Sequence, residues 1–490
     1  MAERVGKCRQ CAELLRNLER LERRYLDLLG QLTRAEKRIR ELQEALAGKN
    51  KDSTNSSKPP SSDIVKPAKK PASVPRRRGA PVGHAPQQRP PFQADEIDAV
   101  QQHAYESCPQ CGGPVELLPT PAEVVQQVEL VAQPTLVTEH QSRTCRCPAC
   151  QQDFTRPIPP QIAAAGTFGP RLTAWAAYLK GACHASYGTL QNLLRETCGL
   201  RIAKGTLVKL CHKVSRSLAP SYDDLLRQIP QQPSLHIDET SHRENGQGHW
   251  TWVFRAPQFT LFQITEKRSA DILDRVLGEE FSGTLLADYY AAYRAYLATH
   301  PRADAQFCLA HLVRDVKFLE TLPAAEDRTF AAELLAELKS LFRLWQASAE
   351  FPDEATFRAA LIAQGQALAR VASEQAPDTN ASCALARRFR KHADQYLRFT
   401  RMPGLEPTNN AAEQAIRYVV IDRRVTQGTR SERGRTWCQR IWTTIATCRQ
   451  QGRDLLSFLE QSYLALLTDI PPPLLLPAPN HSSQSLAAIA

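Results

Sequence analysis

No apolar run in the 490 residues approaches the ~18 needed to cross a bilayer. The opening stretch MAERVGKCRQC also lacks the apolar core of an export signal. These absences predict a cytoplasmic chain without a membrane partner. In such a chain 14 cysteines do not read as a disulfide framework, which leaves metal ligation and buried thiols. An excess of acid is missing too: Lys plus Arg number 62 against 51 Asp plus Glu, a formal charge of +11 that favours a polyanionic partner. The rest is ordinary for a globular protein, at 42% hydrophobic and 23% charged residues, so sizeable cores can form. The length predicts about two to four folded units.

Residues Leu14, Leu18, Leu21, Tyr25, Leu28, Leu32, Ala35, Ile39, Leu42 and Leu46 keep a 4,3 rhythm among Glu, Arg and Lys. That is a coiled-coil seam over 1–48, read as self-association into a homo-oligomer in preference to a hairpin folded on its own chain. From 49 to 104 the chain is rich in Pro, Ser and basic residues and nearly free of acids, so it reads as a flexible basic linker. Lys69, Lys70, Arg76, Arg77 and Arg78 could neutralise phosphates there without reading sequence, although a merely solubilising linker has the same composition.

Two cysteine pairs, Cys108 with Cys111 and Cys147 with Cys150, flank strand-like runs EVVQQVELV and TLVTEH, a zinc-ribbon layout over 105–155. Thiolates two residues apart on a tight knuckle can converge on Zn²⁺ and hold a core too small to stand alone. Cys145 is a competing ligand, and free thiols are the alternative. Residues 168–228 read as helical, with Cys198-Gly199-Leu200 as a turn between two amphipathic stretches. This helix-turn-helix-like segment places Lys204, Lys209, His212 and Lys213 on its second helix. Any helical hairpin has the same pattern.

After Pro233 the runs SLHIDET, HWTWVFRA and FTLFQIT, a short helix, GTLLADYY, another helix and AQFCLAHL give the order β, β, β, α, β, α, β. Asp238 and Asp288 each follow an apolar run, where an acid can face a cleft. Glu413 falls in the first turn of a helix opened by Asn409 and Asn410, where negative charge is favoured. Three such acids could cage Mg²⁺ or Mn²⁺. Glu239 rivals Asp238, and strand alternation lets one of the pair reach the cleft. Strand-end capping and helix-start charge account for the acids equally well.

Taken together, NSSKPPSSD, RRRGAPVGH, CPQCGG, CPAC, HIDET, ADYYAAY, CLAHLVRD, EPTNNAAEQAIR and GTRSERGRTWCQRIWTTIATCRQQGRDLLSFL resemble the insertion sequence 66 family of transposases. The resemblance implies a multidomain α/β chain whose ribonuclease H-like DDE catalytic domain spans 233–440, with a helical insertion at about 312–400. A C-terminal helical region at 441–470 and a loose tail at 471–490 follow. It implies Asp238, Asp288 and Glu413 as catalytic ligands of Mg²⁺ or Mn²⁺, and Cys108, Cys111, Cys147 and Cys150 as ligands of a structural Zn²⁺. His311, Arg314 and Arg417 are expected to support the acids or contact DNA. A metal site at Cys308 and His311 is disfavoured, because no second ligand pair is evident in the sequence. Two departures, Tyr290 and the AAEQAIR form of the third motif, remove no carboxylate.

The implied activity is metal-dependent hydrolysis at the ends of an insertion sequence followed by strand transfer, on double-stranded DNA bound at transposon ends and target. Accessory proteins of the element are possible partners, and the protein would associate with the nucleoid when bound to DNA. A noncatalytic DNA-binding regulator derived from a transposase is the competing reading. A host nuclease of the same fold, cutting without joining, is a third.

Overall fold

The apolar seam of the N-terminal segment lies on one helix, α1 (Arg9–Lys49). The structure is a computed structural model and describes residues 9–49, 90–116, 124–128, 131 and 134–476. The basic linker between 50 and 89, with Lys69, Lys70 and Arg76 to Arg78, therefore lies outside the described residues, as do NSSKPPSSD, RRRGAPVGH and the tail from 477. Among the described residues, those within 68–139 and 193–201 form one compact unit and the others a second.

In the smaller unit, Cys108 opens a tight knuckle: its N–H donates to Gly113 O at 2.8 Å and its carbonyl accepts from Gly112 N–H at 2.8 Å. The expected strands at EVVQQVELV and TLVTEH do not form among the described residues of those runs. Val124, Val125, Val128, Leu136 and Val137 are all largely exposed, so no half-buried pleated surface rewards extended pairing there.

The larger unit has a matching knuckle at Cys147, flanked by the antiparallel pair β1 (Thr144–Arg146) and β2 (Asp153–Thr155). The expected 105–155 domain thus spans the division between units at 139. Helices α2 (Pro160–Ala165), α3 (Pro170–Gly181), α4 (Tyr187–Cys198), α5 (Lys204–Ser217) and α6 (Ala219–Gln228) follow, the part of α4 from Leu193 on belonging to the smaller unit. Gly199, at φ 67°, follows α4 in the left-handed conformation that glycine adopts freely. Leu207, Leu210, Cys211 and Val214 of α5 are buried, and Lys213 donates to Ala165 O at 2.9 Å. Of the basic residues expected to enter a DNA groove, Lys204 and Lys209 are exposed and His212 and Lys213 half-buried.

The central sheet comprises β3 (Ser234–Glu244), β4 (Gln247–Arg255), β5 (Thr260–Thr265), β6 (Thr284–Ala287) and β7 (Asp304–Phe307). Helix α7 (Asp271–Leu277) joins β5 to β6, and α8 (Ala291–Thr299) joins β6 to β7. The strand order is β5-β4-β3-β6-β7, with β4 antiparallel to both neighbours and β3, β6 and β7 parallel. Asn245 and Gly246, at φ 49° and 80°, supply the two positive torsions of a tight β3–β4 hairpin.

The sheet is followed by α9 (Leu309–Leu319), α10 (Ala325–Gln346), α11 (Glu354–Glu374) and α12 (Asn380–Leu397). These bury a core of their own, including Leu334, Leu338, Leu361, Leu368 and Phe389, which joins the sheet through Leu286, Ala305 and Phe307. The chain then returns in α13 (Asn410–Thr426), α14 (Glu432–Gln450) and α15 (Leu455–Thr468). Helix α14 runs unbroken through position 440, where the catalytic segment was expected to end. Its Thr443 and Thr447 hydroxyls accept from the Phe262 and Thr260 N–H groups of β5 at 3.0 and 3.2 Å. In the other main core, Leu455, Phe458 and Leu459 of α15 pack with Trp252, Phe254 and Trp442. Among the described residues no helix is long and apolar enough to cross a membrane.

Candidate catalytic site

The parallel pairing of β3 with β6 stops at His236 opposite Leu286. Asp238 and Asp288 each lie two residues further on, so alternation gives each carboxylate the same face as its registered predecessor. Asp238 was expected at a strand end, yet β3 continues to Glu244 on its pairing with β4. What ends at Asp238 is the parallel neighbour, since β6 finishes at Ala287 and leaves that edge of β3 open.

Asn409 carries the third acid to this place. Its Nδ2 donates to Ile237 O at 2.7 Å, its Oδ1 lies 3.2 Å from His236 Nδ1, and its N–H donates to Cys308 Sγ at 3.2 Å. Leu309 N–H donates to Pro407 O at 2.9 Å, so the start of α13 is tied to β3 and to the segment leaving β7. Burial pushes the His236 pKa down to about 4, so the ring is neutral near pH 7 and Nδ1–H serves as donor to the amide oxygen. Glu413 stands one turn into the helix, its N–H donating to Asn409 O at 3.2 Å. Asn409→Ala is expected to cost ~1–3 kcal/mol in denaturant unfolding, because the buried Ile237 carbonyl loses its amide donor. A stability within 0.5 kcal/mol of wild type would contradict this pinning role.

Electrostatically the acids are under pressure. The Asp238 carboxyl is held well above its usual range, first by burial and then by the charges of Glu239 and Asp288, with Glu413 adding to them. Asp288 is raised to about 6, by burial and then by Glu239, against the N–H of Tyr290, which donates to its Oδ1 at 2.9 Å. Glu413 Oε2 lies 3.6 Å from Arg314 Nη2, whereas the buried Oε1 has no hydrogen-bond partner and lies 3.7 Å from His311 Nδ1. Burial, followed by the Arg314 charge, lowers the His311 pKa, so this imidazole is not a standing counter-charge. By chemistry, carboxylates short of positive charge and one orphaned oxygen suit a hard divalent cation such as Mg²⁺ or Mn²⁺, but among the described residues Asp238, Asp288 and Glu413 do not form a group with ligand atoms within 4.8 Å of one another.

Glu239, the rival of Asp238, turns the other way. Its side chain is 2% exposed and is held by Arg268, whose Nε donates to Oε1 at 2.7 Å, and by the Tyr293 hydroxyl. Arg268 in turn lies over the Tyr290 ring at 3.8 Å and the Trp250 ring at 4.8 Å.

A family model described as Transposase IS66 family matches residues 165–436. The chain belongs to this transposase family. The match covers the sheet, all three acids and the helices between the second and third. A second model, Family of unknown function (DUF6444), matches residues 5–90. Among relatives, Uncharacterized protein y4qI of Sinorhizobium fredii (strain NBRC 101917 / NGR234) is 24% identical over 294 residues, covering 54% of this chain and 53% of that protein. Uncharacterized protein y4jD of the same organism is 27% identical over 218 residues, covering 40% of this chain and 42% of that protein. The chain thus spans about half, or less, of the length of these curated relatives.

Of the other residues expected at the transposase site, His311 and Arg314 lie against Glu413, and Arg417 is exposed one turn further along α13. The arginines after it divide. Arg423 Nη1 donates to Thr240 Oγ1 at 3.2 Å and to Ser241, and Arg435 pairs with Glu244 at 3.4 Å, so both hold the β3 edge. Arg424 and Arg433 remain on the outside as candidates for phosphate. Sequence reading missed Asn409 as a brace, naming it only as a helix opener, and missed Arg268 altogether. An Asn beside the third acid was a legible signal for the first; nothing local marks the second.

The four knuckle cysteines are best described pair by pair. Cys147 repeats the Cys108 turn, donating to Gln152 O at 2.9 Å and accepting from Gln151 N–H at 2.8 Å, with Gln151 at φ 61° as Gly112 is at 74°. Backbone N–H groups aimed at the sulfurs lower the thiol pKa of both: Gln110 and Cys111 act on Cys108, and Cys150 and Ala149 on Cys147. A lowered thiol pKa favours the thiolate form in which cysteine binds zinc.

Proposed function

We propose that the chain is a DDE transposase that hydrolyses a phosphodiester at each insertion-sequence end and joins the freed 3′-hydroxyl to target DNA. One observation carries this reading: two acids that each lie two residues past the last registered pair of neighbouring parallel strands, and a third on a helix whose first turn Asn409 ties to Ile237 of β3. The strand order with one antiparallel member supports a ribonuclease H-like core, into which α9 to α12 are inserted.

Asp238, Asp288 and Glu413 would hold the cations, which when bound supply charge neutralisation at the scissile phosphate and activation of the attacking oxygen. The protein's own part is positional. Arg314 fixes Glu413 Oε2, and the Tyr290 N–H fixes Asp288 Oδ1, so two of the three carboxylates enter the reaction already oriented. Arg417, Arg424 and Arg433 supply exposed positive charge for the DNA backbone. Structural Zn²⁺ as the partner of the knuckle cysteines, Cys108 with Cys111 and Cys147 with Cys150, belongs to the same proposal, supported by the chemistry of each knuckle taken by itself.

The test is cleavage and joining of a fragment bearing the flanking inverted ends, with Mg²⁺ and with chelator. Cutting and joining are expected with Mg²⁺ alone. Cutting without joining or end preference would favour a nuclease, and binding without cutting a regulator.

Self-association through α1 completes the proposal. Leu14, Leu18, Leu21, Tyr25, Leu28, Leu32, Ile39, Leu42 and Leu46 are each more than half exposed, a stripe that a second copy of the helix would bury. Replacing Leu21 and Leu28 together by Lys is expected to leave a monomer in sedimentation velocity at concentrations where the wild type associates. An unchanged mass would remove α1 as the interface.

A further inference from the structure

We propose that Cys308, His311 and Glu413 form a second cation site, for a borderline-soft ion of the Zn²⁺ class, which shares the Glu413 carboxylate with the acid triad. The sharing rests on the triad reading above; the site itself does not.

The site is built from two elements. Cys308 caps the N-terminus of α9 and His311 lies three residues on, so the Cys-x-x-His spacing puts thiol and imidazole on the first turn of one helix. Glu413 arrives from α13, which supplies the further ligand that the sequence around Cys308 does not contain. Sulfur, ring nitrogen and carboxylate oxygen all lie within 4.8 Å of one another, a grouping found among the described residues.

Two of the three atoms lack any other occupation. His311 Nδ1 and Glu413 Oε1 are buried and without hydrogen-bond partners, and at 3.7 Å they are too far apart to satisfy each other. That separation is a few tenths of an ångström wider than two ligands of one ion, since Zn–N and Zn–O bonds of ~2.0–2.2 Å in a tetrahedron put neighbouring ligand atoms roughly 3.3–3.5 Å apart, a gap that closing on the ion would take up. Arg314 takes the other oxygen, Oε2, and leaves Oε1 pointing at the imidazole. Around the sulfur, Asn409 N–H donates to Cys308 Sγ at 3.2 Å, the kind of outer contact that steadies a metal-bound thiolate. Burial holds the Cys308 thiol up at about 11, with the backbone N–H groups of Asn409 and of the helix start working against it, so the cation itself would have to displace the thiol proton.

Ligand softness separates the two sites. Asp238 and Asp288 offer oxygen to hard cations, whereas a thiol with an imidazole selects Zn²⁺ over Mg²⁺. Glu413 Oε1 is the oxygen claimed from both sides. Zinc on the Cys-His side would withdraw it from the hard-ion cage, so the nucleic-acid chemistry would be damped by zinc.

The experiment reads zinc content, not cleavage. Full-length protein is stripped with chelator, titrated with Zn²⁺ alone, freed of excess by gel filtration and analysed by mass spectrometry for metal. Cys308→Ser and His311→Ala are each expected to bind about one equivalent less than wild type, and Glu413→Gln to weaken that equivalent at least ~10-fold. Cys108→Ser should leave it in place, which separates it from zinc on the knuckles. Wild-type zinc content in a folded His311→Ala variant overturns the site, even should Cys308→Ser fail to fold. A protein that holds this zinc but never cuts DNA would sink the transposase chemistry and leave the site standing.

Discussion

Asp288→Asn is expected to abolish Mg²⁺-dependent end cleavage, by ~10³-fold or more, while DNA binding in a gel-shift assay changes less than ~3-fold. The same substitution should stabilise the cation-free protein at pH 7.5. The Asp288 carboxyl titrates at about 6 when folded, against 3.8 for an unperturbed aspartate, so the native state holds this proton more tightly than the unfolded chain. Its contribution to stability is complete below the unfolded value and is lost as pH rises through about 6. At pH 7.5 the wild type carries a charge that burial and Glu239 oppose, and the amide removes it, a gain of ~1–2 kcal/mol in denaturant unfolding. Adding Mg²⁺ should reverse the ranking, raising the melting temperature of wild type above pH 6 and leaving Asp288→Asn unmoved. Retained cleavage in the variant removes Asp288 from the site.

The sheet was legible because its strands are short apolar or alternating runs bounded by turn residues, and Asn245-Gly246 marks its hairpin outright. The individual acids were legible as types and positions, but the elements that carry them toward one another were not. Their placement depends on where β6 stops relative to β3, and on a side-chain amide 172 residues away from the carbonyl it grips. Periodicity carries no information on either. The runs EVVQQVELV and TLVTEH show the opposite failure, since their valines have strand propensity and propensity is realised where a partner surface exists. The basic second helix of the 168–228 segment fits both a groove-entering helix and half of a helical hairpin, and α5 leaves Lys204 and Lys209 exposed. The buried face of α5, with Lys213 spent on a carbonyl, reflects tertiary packing that charge counting does not see.

Arg268→Ala should be the most destabilising single change near the site, by ~3–5 kcal/mol, because it strands the Glu239 carboxylate, 2% exposed, without its counter-charge. The Tyr293 hydroxyl alone cannot replace a guanidinium in that pocket, and Tyr290 and Trp250 lose the cation lying on their rings. Glu239→Gln is the informative companion. The amide oxygen still accepts from Arg268, and its NH2 donates to the Tyr293 oxygen, which accepts once the hydroxyl turns, so the cost should be near 1 kcal/mol, measured by denaturant unfolding. Removing the Glu239 charge also takes away a group that raises both Asp238 and Asp288, so their titration should move to lower pH. Cleavage should then survive within ~10-fold and hold its rate further into acid, while Asp238→Asn loses ~10³-fold. The two neighbours differ by one residue and hence by one face of β3: Glu239 is sequestered by Arg268, whereas Asp238 carries charge repulsion from Glu239, Asp288 and Glu413. If Glu239→Gln proves as inactive as Asp238→Asn in a folded protein, the division of labour between those faces is wrong, and Arg268 would then be holding a catalytic acid in reserve.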